Sequence, residues 1–150
     1  MSESERSIHQ DNSTQSSIAD PETINKLIAD LAKKDGLVRV NARHSLVAIG
    51  GQAVDPLVKA LANKKGPVRW EAAKTLGQIA NPAAVQSLVR ALEDKIFDVR
   101  WLAAEGLIDI GHEAVVPLLQ TLTEHSDSVW MREGAHHIFH DLTRGALKRC

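Results

Sequence analysis

The chain of 150 residues has little of what a disulfide-bonded, membrane-spanning or strongly charged protein needs. Its single cysteine is Cys150, so no disulfide can form within the chain, which fits a reducing compartment. No apolar run approaches the roughly 18 residues of a membrane span. The net charge of −1 gives no basic field for unselective nucleic-acid binding. We therefore expect a cytoplasmic protein whose partner is neither a membrane nor a nucleic acid.

Aromatic side chains are also scarce, because tyrosine is absent and aromatic residues make up 3% of the chain. Aliphatic residues must therefore form most of the core, and a hydrophobic fraction of 43% is sufficient for a folded core. The positions that hold phenylalanine or tryptophan are Trp70, Phe97, Trp101, Trp130 and Phe139.

The two ends of the chain differ in composition from its middle. Residues 1–19 are rich in Ser, Gln and Asp, lack the apolar segment of a signal peptide, and are predicted to form a disordered N-terminal tail. An Asp-Pro-Glu sequence that begins at Asp20 predicts the start of a helix. We predict a repeat solenoid over residues 20–142 and a short basic C-terminal tail over residues 143–150.

One stretch of sequence occurs three times with small changes. It reads VRWEAAKTLGQIA at residues 68–80, VRWLAAEGLIDIG at residues 99–111 and VRVNARHSLVAIG at residues 38–50. Apolar or small residues stand at positions i, i+4, i+8 and i+11 of each copy, which places them in one stripe on an α-helix. The stripe residues are Val38, Ala42, Leu46 and Ile49; Val68, Ala72, Leu76 and Ile79; and Val99, Ala103, Leu107 and Ile110.

A second helix is predicted after each copy, reading AVDPLVKAL, AVQSLVRAL or AVVPLLQTL. A helix at residues 22–33 matches this second type, and a last helix reading MREGAHHIFHDL matches the first type. One helical hairpin cannot bury its apolar face alone, whereas stacked copies bury it against each other. The pattern therefore predicts an all-α solenoid of about eight helices. The apolar stripes of the second helices are Val54, Leu57, Val58 and Leu61; Val85, Leu88, Val89 and Leu92; and Val115, Leu118, Leu119 and Leu122.

The first helix, with the pattern VRxxAAxxLGxIG, and the second, AVxxLVxAL, recur with a period of 30–31 residues over about residues 22–142. This arrangement resembles the HEAT-like repeat named after the phycobilisome lyases. The resemblance implies a short right-handed α-solenoid of stacked helical hairpins. Proteins of that class include bilin-lyase subunits, deoxyhypusine hydroxylase and many scaffolds, so the resemblance leaves the function open.

Two functions are compatible with the repeat pattern. The one we favour is a non-catalytic scaffold or adaptor that binds another protein through a rigid curved surface, with no cofactor. The alternative is a subunit of a bilin-lyase-like enzyme that handles a prosthetic group, and it rests on the resemblance alone. A di-iron hydroxylase is rejected, because its His-Glu ligand pairs recur within the first helices, whereas His112-Glu113 occurs once and at a helix junction. No phosphate-binding loop and no nucleophile with an adjacent base is evident in the sequence.

Trp70 and Trp101 are the preferred partner-binding residues. They hold the same position in two repeats, and helical phase points each away from its own apolar stripe. Either each ring packs on the adjacent first helix, or the rings are exposed anchors of the kind found in interface hot spots.

Lys59 and Arg90 are the preferred contacts on the layer of second helices, whose mixed charges suit a protein ligand. A plain solvated face is the alternative for that layer.

An arginine follows the first stripe residue of each first-type helix. We interpret these arginines as structural, with guanidinium groups that bond the carbonyls or acids of the adjoining turn. The acid candidates are Asp35, Asp98 and Asp127. The four arginines are Arg39, Arg69, Arg100 and Arg132.

His136 and His140 are separated by one helical turn and are weak candidates for metal ligands. No Glu follows the first histidine as in the HExxH motif of zinc proteases, and no third ligand is evident nearby. Metal-dependent activity at this cluster is therefore only a second alternative, and ordinary surface histidines are the simpler interpretation.

Overall fold

A computed structural model describes residues 18–149. Within these residues the chain forms eight α-helices, and no strand occurs. The helices are α1 (Pro21–Asp30), α2 (Gly36–Ile49), α3 (Val54–Ala60), α4 (Gly66–Ile79), α5 (Val85–Ala91), α6 (Phe97–Ile110), α7 (Val115–Glu124) and α8 (Val129–Leu147). Short 3₁₀ turns join α2 to α3, α4 to α5 and α6 to α7, at Gly50–Ala53, Pro82–Ala84 and His112–Ala114.

The helices form two layers. The A layer contains α2, α4, α6 and α8, and each of these helices packs against its neighbours in the layer. The B layer contains α1, α3, α5 and α7, and each B-layer helix packs against the A-layer helix that follows it in the chain. This arrangement confirms the predicted all-α solenoid of stacked hairpins.

Local sequence explains where the A-layer helices begin and end. The carboxylate of Asp35 accepts the backbone N–H of Leu37 at 2.8 Å and so caps α2. Gly50 and Gly111 end α2 and α6 with φ values of 74° and 86°, which glycine adopts without a steric penalty. Ala80 ends α4 with φ 53°, a left-handed conformation that is costly for a residue with a Cβ atom.

Aliphatic side chains fill the space between the layers, as the stripes predict. Leu46, Leu76 and Leu107 hold the same stripe position in three A-layer helices, and each is fully buried. The prediction for Leu119 is wrong, because 46% of its surface is exposed. α7 is the last B-layer helix in the described part of the chain, so its outer flank has no further helix to cover it.

Described residues outside the predicted limits of the solenoid contact or extend the array at both of its ends. α8 continues to Leu147, so residues 143–147 are helical where the sequence predicted a separate tail. At the other end, the backbone N–H of Ala19 donates to Oε1 of Gln52 at 2.9 Å. The rest of the predicted N-terminal tail, residues 1–17, and Cys150 lie outside the described residues. Among the helices of residues 18–149, none has both the length and the apolar character that crossing a membrane requires.

Candidate binding surfaces

The arginine that recurs in each A-layer helix holds the turn before that helix. In all four copies the guanidinium Nη1 donates to the backbone carbonyl six residues earlier, as the structural interpretation predicted. The acceptors are the carbonyls of Lys33, Asn63, Asp94 and Ser126, at 2.8, 2.9, 2.7 and 2.6 Å from Arg39, Arg69, Arg100 and Arg132.

Two of these arginines, Arg39 and Arg69, also pair with an acid, and both acids come from the neighbouring repeat, which corrects the sequence prediction. Glu71 of α4 accepts Nε of Arg39 at 3.2 Å and Nη1 of the buried Arg43 at 2.6 Å. Asp94 binds Arg69 in two bonds of 2.6 and 3.1 Å. Asp35 caps α2 instead of pairing with an arginine. Each of these ion pairs therefore joins two repeats.

The Arg69–Asp94 pair shifts the pKa of both groups. Desolvation alone raises the pKa of Asp94, but the hydrogen bonds from Arg69 and from the backbone N–H of Ile96 outweigh it, so the pKa lies below its ordinary value. The hydrogen bond to Asp94 raises the pKa of Arg69. Both groups are therefore charged in the folded protein at neutral pH, and this part of the surface is electrically compensated.

Trp101 belongs to an exposed cluster that we call the aromatic patch, formed by Phe97, Arg100, Trp101, Trp130 and His137. The Trp101 ring lies 4.7 Å from the His137 ring and 6.4 Å from the Phe97 ring, both in stacked geometry. The guanidinium of Arg100 lies 4.5 Å from the Trp130 ring centre. Trp101 packs across to α8, as the first alternative predicted, and is still 47% exposed, so its role as an anchor for a partner stays a prediction.

The aromatic patch surrounds a small cavity of about 140 Å³ whose floor contains the buried residues Leu92 and Ala104. His137 Nε2 lies 2.9 Å from a carboxylate oxygen of Glu105 on α6, which fixes the imidazole against Trp101. The arrangement presents large rings that are held in place and are still open to solvent. Phe97, Arg100 and His137 were missed in the sequence, although Phe97 lies one helical turn before Trp101.

Trp70 lines a different and larger cavity, which we call the Trp70 groove. It has a volume of about 720 Å³ and lies where the turn before α2 meets the start of α4. Trp70 is half-buried, and the ammonium of Lys74 lies 4.7 Å from the centre of its ring. The two tryptophans of equivalent repeat position therefore serve separate surfaces. The groove is lined by Leu31, Ala32, Lys33, Lys34, Arg39, Lys65, Gly66, Pro67, Val68, Trp70, Glu71 and Ile96.

Lys59 and Arg90 are exposed on the B layer, as expected. They line two separate shallow cavities, of about 370 and 260 Å³, and do not form one cluster. Arg90 donates from Nη2 to the hydroxyl of Ser87 at 3.1 Å. These residues are available to a partner but are less rigidly placed than the rings of the aromatic patch.

The two candidate metal ligands lie on the exposed face of α8. The rings of His136 and His140 are stacked with centres 6.4 Å apart. His140 Nδ1 lies 3.5 Å from the carboxylate of Asp141. Within residues 18–149 no group of three or more His, Cys, Asp and Glu side chains is placed to hold a metal ion.

The layered stack of hairpins defines this protein as an α-solenoid, and sequence comparison identifies its family. The family described as HEAT repeats matches residues 54–137, more than half of the chain. The chain therefore belongs to the HEAT-repeat family, while membership of the phycobilisome-lyase subclass stays a prediction.

A solved structure gives the same fold. The crystal structure of an engineered protein is similar to this chain with a TM-score of 0.50 and 23% sequence identity. The similarity covers 79% of this chain and 62% of the engineered protein, so this chain spans less than two thirds of that protein's length. No curated protein matches this chain.

Proposed function

We propose that this HEAT-repeat protein is a non-catalytic scaffold or adaptor that binds another protein. The observation that carries the proposal is the aromatic patch, where Trp101 and Trp130 are 47% and 42% exposed although both rings are held by their neighbours. Water-exposed aromatic rings are unfavourable on a surface with no partner, and tryptophan and arginine dominate interface hot spots. Repeat solenoids use such extended rigid surfaces to bind proteins.

In this proposal Trp101 is the central anchor, and the cavity over Leu92 receives a side chain of the partner. Trp70 anchors a second contact on the same layer. Lys59 and Arg90 are proposed polar contacts on the B layer, where exposed charges affect association rate more than affinity. We further propose a cytoplasmic location, because the chain has one cysteine only.

The test is an affinity pull-down from native cell extract, followed by calorimetric titration of each partner that mass spectrometry identifies. Trp101→Ala should weaken binding by about 2 kcal/mol or more, which is roughly 30-fold. The matched control is Leu37→Ala, which removes an exposed apolar side chain of α2 outside both cavities and should leave the affinity unchanged. Equal affinity of the wild type and Trp101→Ala for every partner would refute the anchor role of Trp101.

A further inference from the structure

The Trp70 groove differs from the aromatic patch in size and in its lining, because it carries three lysines. We propose that it takes a short segment of a partner protein in which an apolar side chain is flanked by carboxylates. The proposal deepens the scaffold function and rests on it, but it concerns a separate surface with its own chemistry.

The volume and the lining of the groove indicate the apolar part of the ligand. About 720 Å³ is within the range of roughly 300–1,000 Å³ that is typical of ligand-binding pockets. Pro67 and Ile96 contribute exposed aliphatic surface, and Trp70 contributes a ring that is only half-buried. An aliphatic or aromatic side chain that enters the groove therefore replaces water at apolar surface on several sides.

The charges of the groove indicate the acidic part of the ligand. Lys33, Lys34 and Lys65 line it and are exposed, and no ion pair involves them in the described part of the chain. The carboxylate in the groove, Glu71, is compensated by Arg39 and Arg43 at 3.2 and 2.6 Å. The lysine charges are therefore uncompensated, and they favour a carboxylate-bearing segment over a neutral or basic one.

The backbone of the turn that carries Lys33 and Lys34 is held in position. Nη1 of Arg39 donates to the carbonyls of Lys33 and Lys34 at 2.8 and 2.7 Å, which fixes the turn that carries both side chains. A Cβ atom at Gly66 would collide with the side chain of Ile96, so glycine allows Ile96 to close one wall of the groove. A ligand that binds here therefore has to order the lysine side chains but not the backbone of this turn.

The positive charge of the groove is local, because the chain as a whole carries a net charge of −1. A nucleic acid needs basic side chains spread along a phosphate backbone, whereas the three lysines lie together at this one groove. A protein segment with one apolar side chain between acids matches both the apolar lining and the three lysines. We therefore favour an acidic protein segment over a polyphosphate ligand.

The test measures fluorescence polarisation of a labelled short peptide with a central leucine flanked by aspartates, added to the full-length chain. Lys33→Glu/Lys34→Glu should weaken binding at least about tenfold, because the introduced carboxylates repel the aspartates of the peptide. The matched control is Lys26→Glu/Lys148→Glu, which makes the same charge change at exposed lysines outside the groove and should leave binding within about twofold. Circular dichroism of all variants confirms that the fold is retained.

Two further peptides test the two halves of the ligand. A peptide with serine in place of the leucine and one with lysines in place of the aspartates should both bind at least about tenfold more weakly. Absence of binding of the leucine–aspartate peptide to the wild type would overturn the groove proposal. It would leave the Trp101 anchor intact, because that role is tested with a different variant and a different ligand.

Other occupants of the groove give distinct results. Equal binding by the serine peptide would mean that the groove recognises charge alone. Displacement of the leucine–aspartate peptide by inorganic polyphosphate, at a similar concentration of negative charges, would mean the same. Self-association that Lys33→Glu/Lys34→Glu abolishes would assign the groove to a second copy of the chain. Each of these results would overturn the proposal.

Discussion

Gly77 of α4 lies directly against Gly106 of α6, so that a Cβ atom at Gly77 would be 3.2 Å from the Cα atom of Gly106. Real Cβ atoms rarely come so close to backbone, and backbone cannot rotate away as a side chain can. The two A-layer helices therefore cross at their closest point through a pair of residues without side chains. This close contact lies in the middle of the array, between the two repeats that carry Trp70 and Trp101.

Gly77→Ala should lower the free energy of unfolding by about 1–2 kcal/mol, because overpacking at the crossing exceeds the gain in helix propensity of roughly 1 kcal/mol. Urea unfolding followed by circular dichroism measures the change. Gly145→Ala is the matched control, since a Cβ atom there meets only the end of the Arg149 side chain, at 3.9 Å. An increase in stability in both variants would show that the helices can separate without cost.

Asp94→Asn should destabilise the protein by about 1–3 kcal/mol at neutral pH, because the charged partner of Arg69 is lost. The pKa of Asp94 is lower in the folded than in the unfolded chain, so its contribution is complete above the unfolded pKa. This contribution is lost as the pH falls through the folded pKa. The stability difference between wild type and Asp94→Asn should therefore be constant near neutral pH and decrease below about pH 4.

Urea unfolding of both proteins over a series of pH values measures this difference. Asp98→Asn is the control, because Asp98 is an exposed acid of the same region with no ion pair in residues 18–149. A difference for Asp94→Asn that does not change with pH would mean that the charge of Asp94 does not stabilise the fold.

Glu71→Met should destabilise the protein by about 3–5 kcal/mol, since it leaves the buried guanidinium of Arg43 without its partner. Arg43→Met/Glu71→Met should be less destabilised than Glu71→Met, because the double variant removes both buried charges and Arg39 still has its carbonyl acceptors. Thermal unfolding of the two variants gives the comparison. A double variant less stable than Glu71→Met would show that Arg43 contributes mainly through its packing.

His137→Ala should lower the free energy of unfolding by about 0.5–1.5 kcal/mol, through loss of its stacking on Trp101. It should also make Trp101 more accessible to acrylamide in a background where Trp70 and Trp130 are replaced by Phe. In that background Trp101 is the remaining tryptophan, so acrylamide quenching of the fluorescence measures the accessibility of Trp101. His136→Ala, which changes an exposed histidine on the same helix away from the tryptophan, should leave the quenching unchanged. Equal quenching in both variants would show that His137 does not hold the ring.

Much of the fold could be predicted because each helix encodes its own buried face. The stripe positions Leu46, Leu76 and Leu107 follow from a spacing of 3.6 residues per turn, and burial at these positions needs no knowledge of the neighbouring helix. The role of the recurring arginine was also predictable in part. Its carbonyl acceptor lies six residues earlier in every copy, so that bond depends on local geometry alone.

The candidate sites were less predictable, because their members come from different repeats. Trp70 and Trp101 were predicted as binding residues from their repeat position. That position is the same for both, so it does not show that Trp70 lines a groove with three lysines whereas Trp101 belongs to a patch of stacked rings. Lys33 and Lys34 are far from Trp70 in the sequence, and only the packing of the turn before α2 brings them to the same groove.

The sequence by itself therefore determined the number of helices, their two layers and the aliphatic core, since these follow from periodicity within each segment. Only the tertiary structure decided that Glu71 and Asp94 pair with arginines of a neighbouring repeat, that Leu119 is exposed, and that two glycines meet where α4 crosses α6. The physical reason is that side-chain contacts between repeats depend on the angle and offset at which whole helices pack. Those two quantities are set by the sum of many contacts along both helices, and no local pattern encodes them.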